Sequence, residues 1–174
     1  KLYFSYPMNV ALITTKLKNK INIMPASWQT LLSYSPPIFG ALISPKRYTF
    51  ELLKKSNNFT ANFVESKYAG LVTKLGSVSG GQEDKVKKHK LEFIKSVTVK
   101  TPILKIAYTS FECKKIKMIK CGDHVLIMGR ILNIRFRKNA FDETNILKTG
   151  RIKPLLYLGN NQYATAKSAS QKVD

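Results

Sequence analysis

The 174-residue sequence predicts a mainly β protein with inserted helices, its strands curled into a small barrel. Three observations carry this prediction. Short runs rich in Val, Ile, Thr and aromatic residues recur along the chain, about eight in all, separated by Pro, Gly, Asn and Lys turns. Helical periodicity shows only after Thr49, after Ser66 and after Asp84. The runs Tyr108 to Lys120 and Val125 to Phe136 alternate on either side of Cys121-Gly122-Asp123, as the arms of a hairpin do. Closing such a sheet would remove its exposed edges.

Taken in order, Val10 to Thr15 is a β-rich run that starts after Pro7 and turns through Lys16 to Lys20. Ile21 to Tyr34 reads as a second strand, bulged or interrupted at Pro25 and ended by Ser35-Pro36-Pro37. Ile38 to Ser44 is continuously apolar, which predicts a strand buried on both faces. Thr49 reads as the N-cap of a helix with Phe50, Leu52 and Leu53 on its apolar stripe and Glu51 in its first turn. Asn57-Asn58 stops that helix, and Phe59 to Val64 alternates as a strand. Ser66 would cap a second helix through Leu75, followed by the small-residue loop Gly76 to Gly81 and a short basic helix from Asp84 to Lys90. Phe93 to Val99 and Ile103 to Ala107 are β-like, and the long hairpin comes next. Asn139 to Lys153 reads as polar loop and Pro154 to Leu158 as a last strand. One domain over residues 1–163 is expected, with a Ser/Ala/Lys tail over 164–174.

Composition narrows the function classes. A hydrophobic fraction of 44% belongs to a globular chain. No apolar run reaches the ~18 residues of a membrane span, and Pro7 with its polar neighbours breaks any export signal, so a cytoplasmic setting and no membrane partner are expected. The 30 basic and 10 acidic residues give a net charge of +20, a field that draws polyanions and anionic cofactors alike. No strand interleaves aromatics densely with Lys or Arg, so a nucleic-acid-binding barrel is the remoter reading. Cys113 and Cys121 fit no zinc spacing and would face one another only on two arms of a hairpin; two free thiols are expected. The two histidines, His89 and His124, suggest neither a metal site nor a hydrolase triad.

The stretch from Asn22 to Thr49 is the richest in chemistry. Asn22-Ile23-Met24-Pro25-Ala26-Ser27-Trp28 leads to Ser35-Pro36-Pro37, an apolar strand ending at Ser44, and the turn Pro45-Lys46-Arg47-Tyr48-Thr49. Such a stretch could set a flat aromatic ligand against a strand edge and its phosphate against Ser, Arg and Thr donors. Free backbone amides at the start of the following helix would add to those donors.

These pieces resemble, in order and spacing, the flavin reductase-like FMN-binding split-barrel family. The resemblance covers nearly the whole chain: Tyr6-Pro7 with Val10 to Thr15, Phe59 to Val64, Leu75 to Gly80 with Asp84-Lys85, Gly122-Asp123-His124 to Gly129, and Pro154 to Gly159. It implies a split β-barrel homodimer with one FMN per subunit near the dimer interface. It implies that Asn22, Met24, Pro25, Ala26, Ser27 and Trp28 line the ring and ribityl chain, and that Ser27, Arg47 and Thr49 hold the phosphate. Ser44 belongs to the same set, Asn62 would contact the flavin or brace the site, and the loop with Ser79 and Gly80 would be either a lid beside it or a plain connection. His124 would face the nicotinamide position as the catalytic residue. The activity implied is hydride transfer from NADH or NADPH to flavin, with reduced FMN serving a partner oxygenase. The alternative is a flavoredoxin-like carrier that keeps its FMN and exchanges electrons with a redox protein.

Overall fold

In the computed structural model, which describes residues 5–168, the chain forms twelve strands and three α-helices. The strands β1 (Met8–Asn9), β2 (Ala11–Leu17), β3 (Lys20–Ala26), β4 (Gln29–Ser33) and β5 (Ile38–Ile43) precede helix α1 (Tyr48–Lys55). Strand β6 (Asn58–Phe63), a 3-10 turn (Ser66–Tyr68), α2 (Ala69–Ser77) and α3 (Lys85–Lys88) follow. The rest comprises β7 (Phe93–Ile94), β8 (Ile103–Leu104), β9 (Thr109–Cys121), β10 (His124–Phe136), β11 (Leu156–Gly159) and β12 (Gln162–Ala164).

Seven strands make one antiparallel sheet in the order β3-β2-β6-β9-β10-β5-β4. Its two outer strands, β3 and β4, are neighbours in sequence, joined by Ser27-Trp28, and no ladder pairs them. The barrel is therefore split at that corner rather than closed, and the split is where the chain bends. The interior is filled from all sides by Ile13, Phe39, Phe59, Ala61, Phe63 and Ile127, with Phe50 and Leu53 of α1 packed against them. The aromatic rings meet edge-on: Phe63 and Phe111 have centroids 5.3 Å apart. A second core lies outside the barrel, where Leu12 and Ile23 meet Val72 and Leu75 of α2, along with Leu104 and Leu155. Strand β2 faces both cores, which is why Ala11 to Thr15 is buried without alternation. A small sheet, β1-β11-β12, stands beside the barrel.

The structure corrects several expectations. The break in the second strand falls at Ser27-Trp28; Pro25 stays inside β3, opposite Leu12. Arg47, not Thr49, is the N-cap of α1, and Thr49 lies within its first turn. The β5 run is not buried on both faces: Phe39, Ala41 and Ile43 fill the barrel, whereas Leu42 points outward and is only half-buried. Only Phe93 and Ile94 of the Phe93 to Val99 run form a strand, because the loop beyond is held by Glu112 instead of by a ladder. Residues 139–153 form the expected loop, which Ala140 and Ile152 anchor by burial against the barrel core. A last strand, β12, forms one hairpin with β11, so order continues beyond residue 163. Cys113 and Cys121 share strand β9, about 26 Å apart at strand rise, so they cannot face one another; Cys113 is buried and Cys121 exposed. The end of the expected tail, 169–174, lies outside the described residues.

Candidate functional site

The split corner opens into a cleft of about 1240 Å³. One wall is the end of β3 and the bend after it, Met24-Pro25-Ala26-Ser27-Trp28. A second runs from Leu42 at the end of β5 through Ser44, Lys46 and Arg47 to Tyr48 and Thr49 of α1. The third is one face of α2 (Val72, Thr73, Gly76) with the following loop, including Ser79, Gly80 and Gln82. The β11–β12 hairpin, Tyr157 to Tyr163, closes the far side with Tyr6 and Val10.

Sequence and local structure explain this gathering. Strand β5 ends where Pro45 cannot continue the ladder, and the turn delivers Arg47 as the helix cap and Thr49 into the helix's first turn. The Arg47 carbonyl accepts the Phe50 amide at 2.9 Å and so starts the helix beside the cleft. Thr49 is 2% exposed and its hydroxyl accepts a 2.8 Å hydrogen bond from the Asn22 side-chain amide. Helix α2 approaches closely because Gly76 lacks a side chain; a Cβ there would stand 3.1 Å from Pro25 Cγ. At Gly80 a Cβ would overlap Asn22 Oδ1, so the loop can lie against the β3 wall only with glycine at that position.

His124 stands at the cleft where β10 begins. Its ring lies on Trp28, centroids 4.8 Å apart and planes tilted 41°, and its Nδ1 is 2.8 Å from Asp123 Oδ1. That bond to His124 holds the Asp123 carboxyl below the ordinary range. The histidine is thus packed on Trp28 at its face and paired with an exposed carboxylate at its edge, with Nε2 the nitrogen left for a ligand.

Of the residues expected from sequence, Met24, Pro25, Ala26, Ser27, Trp28, Ser44, Arg47, Thr49, Ser79, Gly80 and His124 all line this cleft. Two do not. Asn22 is 2% exposed and lies behind the wall, hydrogen-bonded to Thr49 and packed against Gly80. Asn62 is fully buried on β6, where its amide donates to Leu12 O, Thr14 and Thr60 and its Oδ1 accepts from Leu104 N and Ser110. Every lone pair and proton it has is spent on joining strands, so Asn62 braces the sheet and contacts no cleft ligand.

The residue that sequence reading missed is Lys85. It appears as one lysine among many, yet it is 4% exposed and lines the cleft. Its ammonium donates to Leu75 O at 2.5 Å and Ile23 O at 3.3 Å, tying the end of α2 to β3. Burial, against the pull of Glu83 and with the push of Arg47, lowers its pKa. The signal in the sequence was weak: Asp84 beside it caps α3 by accepting from Lys87 N, and only the fold shows what that cap points inward. Tyr6, Tyr157 and Tyr163, with successive ring centroids 5.5 and 5.3 Å apart, form an aromatic wall that sequence spacing did not reveal. Among the described residues, no group of His, Cys, Asp and Glu is arranged to hold a metal ion, and no helix is long and apolar enough to cross a membrane.

Comparison with known proteins agrees with this architecture. A protein of Archaeoglobus fulgidus is 35% identical over 133 residues, covering 76% of this chain and 75% of its own. The crystal structure of an FMN-binding protein from Thermus thermophilus with bound 1-cyclohex-2-enone is 33% identical, with a TM-score of 0.91 over 99% of this chain and 94% of that one. A putative flavin reductase with a split barrel domain from Shewanella frigidimarina NCIMB 400 is 18% identical and shares the fold, TM-score 0.89 over 99% and 88% of the two chains. The Flavin reductase like domain matches residues 3–166, and with a split barrel, a cleft at its open corner and a match of that extent, this chain belongs to the flavin reductase like family.

Proposed function

We propose that the cleft binds FMN and that the protein is an NAD(P)H:flavin oxidoreductase. The observation that carries this reading is a set of hydroxyl and cationic donors in the same cleft as the apolar bend after β3. Hydroxyls of Ser27, Ser44, Ser79 and Thr49 and the cations Lys46 and Arg47 line the same cleft as Met24, Pro25, Ala26 and Trp28. Hydroxyls with a guanidinium suit a phosphate dianion, and the apolar bend suits a flat ring. The volume exceeds the roughly 300–1,000 Å³ of ordinary small-molecule pockets, which leaves room for a second planar molecule beside the flavin.

FMN, when bound, would supply the two-electron acceptor for a nicotinamide hydride. The chain's own share is placement. Arg47 would take the phosphate in a bidentate contact, and Thr49 would add a donor. The field of the +20 chain would gather anionic ligands. Trp28 and the Met24-Pro25-Ala26 strand would keep water from one ring face. His124, locked by Trp28 and Asp123, would orient the nicotinamide at contact distance, which is the main catalytic gain available. Reduced flavin would then serve a separate oxygenase.

One surface feature supports a homodimer. Leu42 lines the cleft and sits in register with Leu126, which is itself in register with Ile119. Leu32 lies over Gly40 in the same face, and Leu32 and Ile119 are 39% and 37% exposed. An apolar row that continues out of the cleft onto the sheet suits a second subunit that completes the flavin site.

The test is anaerobic mixing of FMN-loaded protein with NADH and, separately, NADPH, following the oxidised flavin band. Bleaching within turnover time is expected and would name the nicotinamide. A protein that stays yellow is a flavoredoxin-like carrier, and one that takes up no flavin leaves the basic surface as the functional feature.

A further inference from the structure

Asn22 is an unusual buried residue. It is 2% exposed, it does not line the cleft, and its Oδ1 is buried with no hydrogen-bond partner. An unpaired buried acceptor costs roughly 1–3 kcal/mol, so an ordinary core position would favour an apolar side chain here. What Asn22 does make is one bond: Nδ2 donates to Thr49 Oγ1 at 2.8 Å, across 27 residues of sequence. Its backbone is also fixed, because β3 pairs Asn22 with Thr15 and the Thr15 hydroxyl donates to its carbonyl at 3.5 Å. Gly80 seals the other side of the carboxamide, where even a methyl group would overlap Oδ1.

The consequence falls on Thr49. A threonine hydroxyl has one proton to donate and two lone pairs. The Asn22 amide occupies a lone pair, so Thr49 cannot turn its proton toward Asn22. Among the described residues that proton goes to no protein acceptor, and Thr49 lines the cleft in the first turn of α1, beside Arg47. We propose that Asn22 is a positioning residue for the anion end of the cleft: it fixes the Thr49 hydroxyl as a donor aimed at a phosphate oxygen, without touching the ligand itself. This inference rests on the FMN reading and adds the order of contact, Asn22 to Thr49 to phosphate. The cost of the orphaned Oδ1 is offset by a donor that needs no reorientation when the anion arrives.

The test is a double-mutant cycle read with two ligands, FMN and riboflavin, which lacks the phosphate, by fluorescence quenching. Asn22→Ala and the near-isosteric Thr49→Val are each expected to weaken FMN roughly tenfold and to leave riboflavin within about twofold. The double variant is expected to lose no more than Thr49→Val alone, because Asn22 acts only through that hydroxyl. Thr49→Ser, which keeps the hydroxyl, should restore FMN binding. Additive losses, or equal losses for FMN and riboflavin, would overturn the proposal, since Asn22 would then act on the ring or on the fold at large. Thermal melting of each variant, with Asn22→Ser in place of Asn22→Ala should the latter not fold, keeps a stability effect separate. Failure of the FMN reading has a different signature: wild-type protein would bind FMN no better than riboflavin, or bind neither.

Discussion

Single side chains at the cleft divide into those that meet solvent and those that hold others in place. Arg47 caps α1 with its backbone, leaving an exposed guanidinium at the cleft. Arg47→Ala should weaken FMN binding by roughly 1.5–3 kcal/mol, the range for a charge-assisted contact, with little change in melting temperature. Isothermal titration checks this, and unchanged affinity removes Arg47 from the phosphate role. His124 is different, because the ring is held between Trp28 and Asp123 rather than left to solvent. His124→Ala should slow flavin reduction by about tenfold or more while FMN affinity moves within about twofold, because misplacement costs rate before it costs binding. Stopped-flow reduction and flavin titration separate the two, and equal reduction rates would refute the assignment.

At the scale of elements, the least obvious device is the clamp on the loop between β7 and β8. Glu112 on β9 is fully buried, and its carboxylate accepts from Val97 N, Thr98 N, the Thr98 hydroxyl and Asn133 Nδ2. Burial pushes this carboxyl up, but the bonds from Thr98, Asn133 and Val97 pull harder, and its pKa lies below the usual value. A carboxylate depressed in the folded state contributes stability that is complete above its unfolded pKa near 4.5. That contribution is lost as pH falls through the lower, folded value. Denaturant unfolding of Glu112→Gln should show about 2–3 kcal/mol less stability at pH 7, and the deficit should shrink below pH 4.5. A deficit that stays constant with pH would assign the effect to packing. The same loop explains why the Phe93 to Val99 run is β-like in composition yet mostly not a strand: its amides are satisfied by one carboxylate from a neighbouring strand.

For the whole molecule, the proposed ligand site and the proposed subunit contact share the open corner. The outer row of Leu42, Leu126 and Ile119 leaves the cleft and crosses three strands. Leu126→Glu should convert a sedimenting dimer into a monomer and weaken FMN retention at the same time, because a charge in the centre of an apolar interface is costly. A wild-type chain that sediments as a monomer, or a variant that loses neither property, would detach the row from assembly.

Much of this was written in local sequence. Proline punctuation, the alternating hairpin around Gly122, and the Asn22 to Thr49 stretch determined the element order, the mainly β class and most cleft-lining residues, since turn chemistry and side-chain period act over a few residues. The rest depended on contacts distant in sequence. Thr49 lost its expected capping role because Arg47 starts the helix, and its hydroxyl is engaged instead by Asn22 on β3. Asn62 had the residue type of a ligand contact but was consumed by five strand-bracing bonds. Lys85 gained its place only when Leu75 and Ile23 brought two carbonyls to it. Residue type and local order set which side chains could donate, stack or turn. Contacts distant in sequence decided which of them the fold had already engaged, because hydrogen-bonding capacity is finite and the fold spends it first.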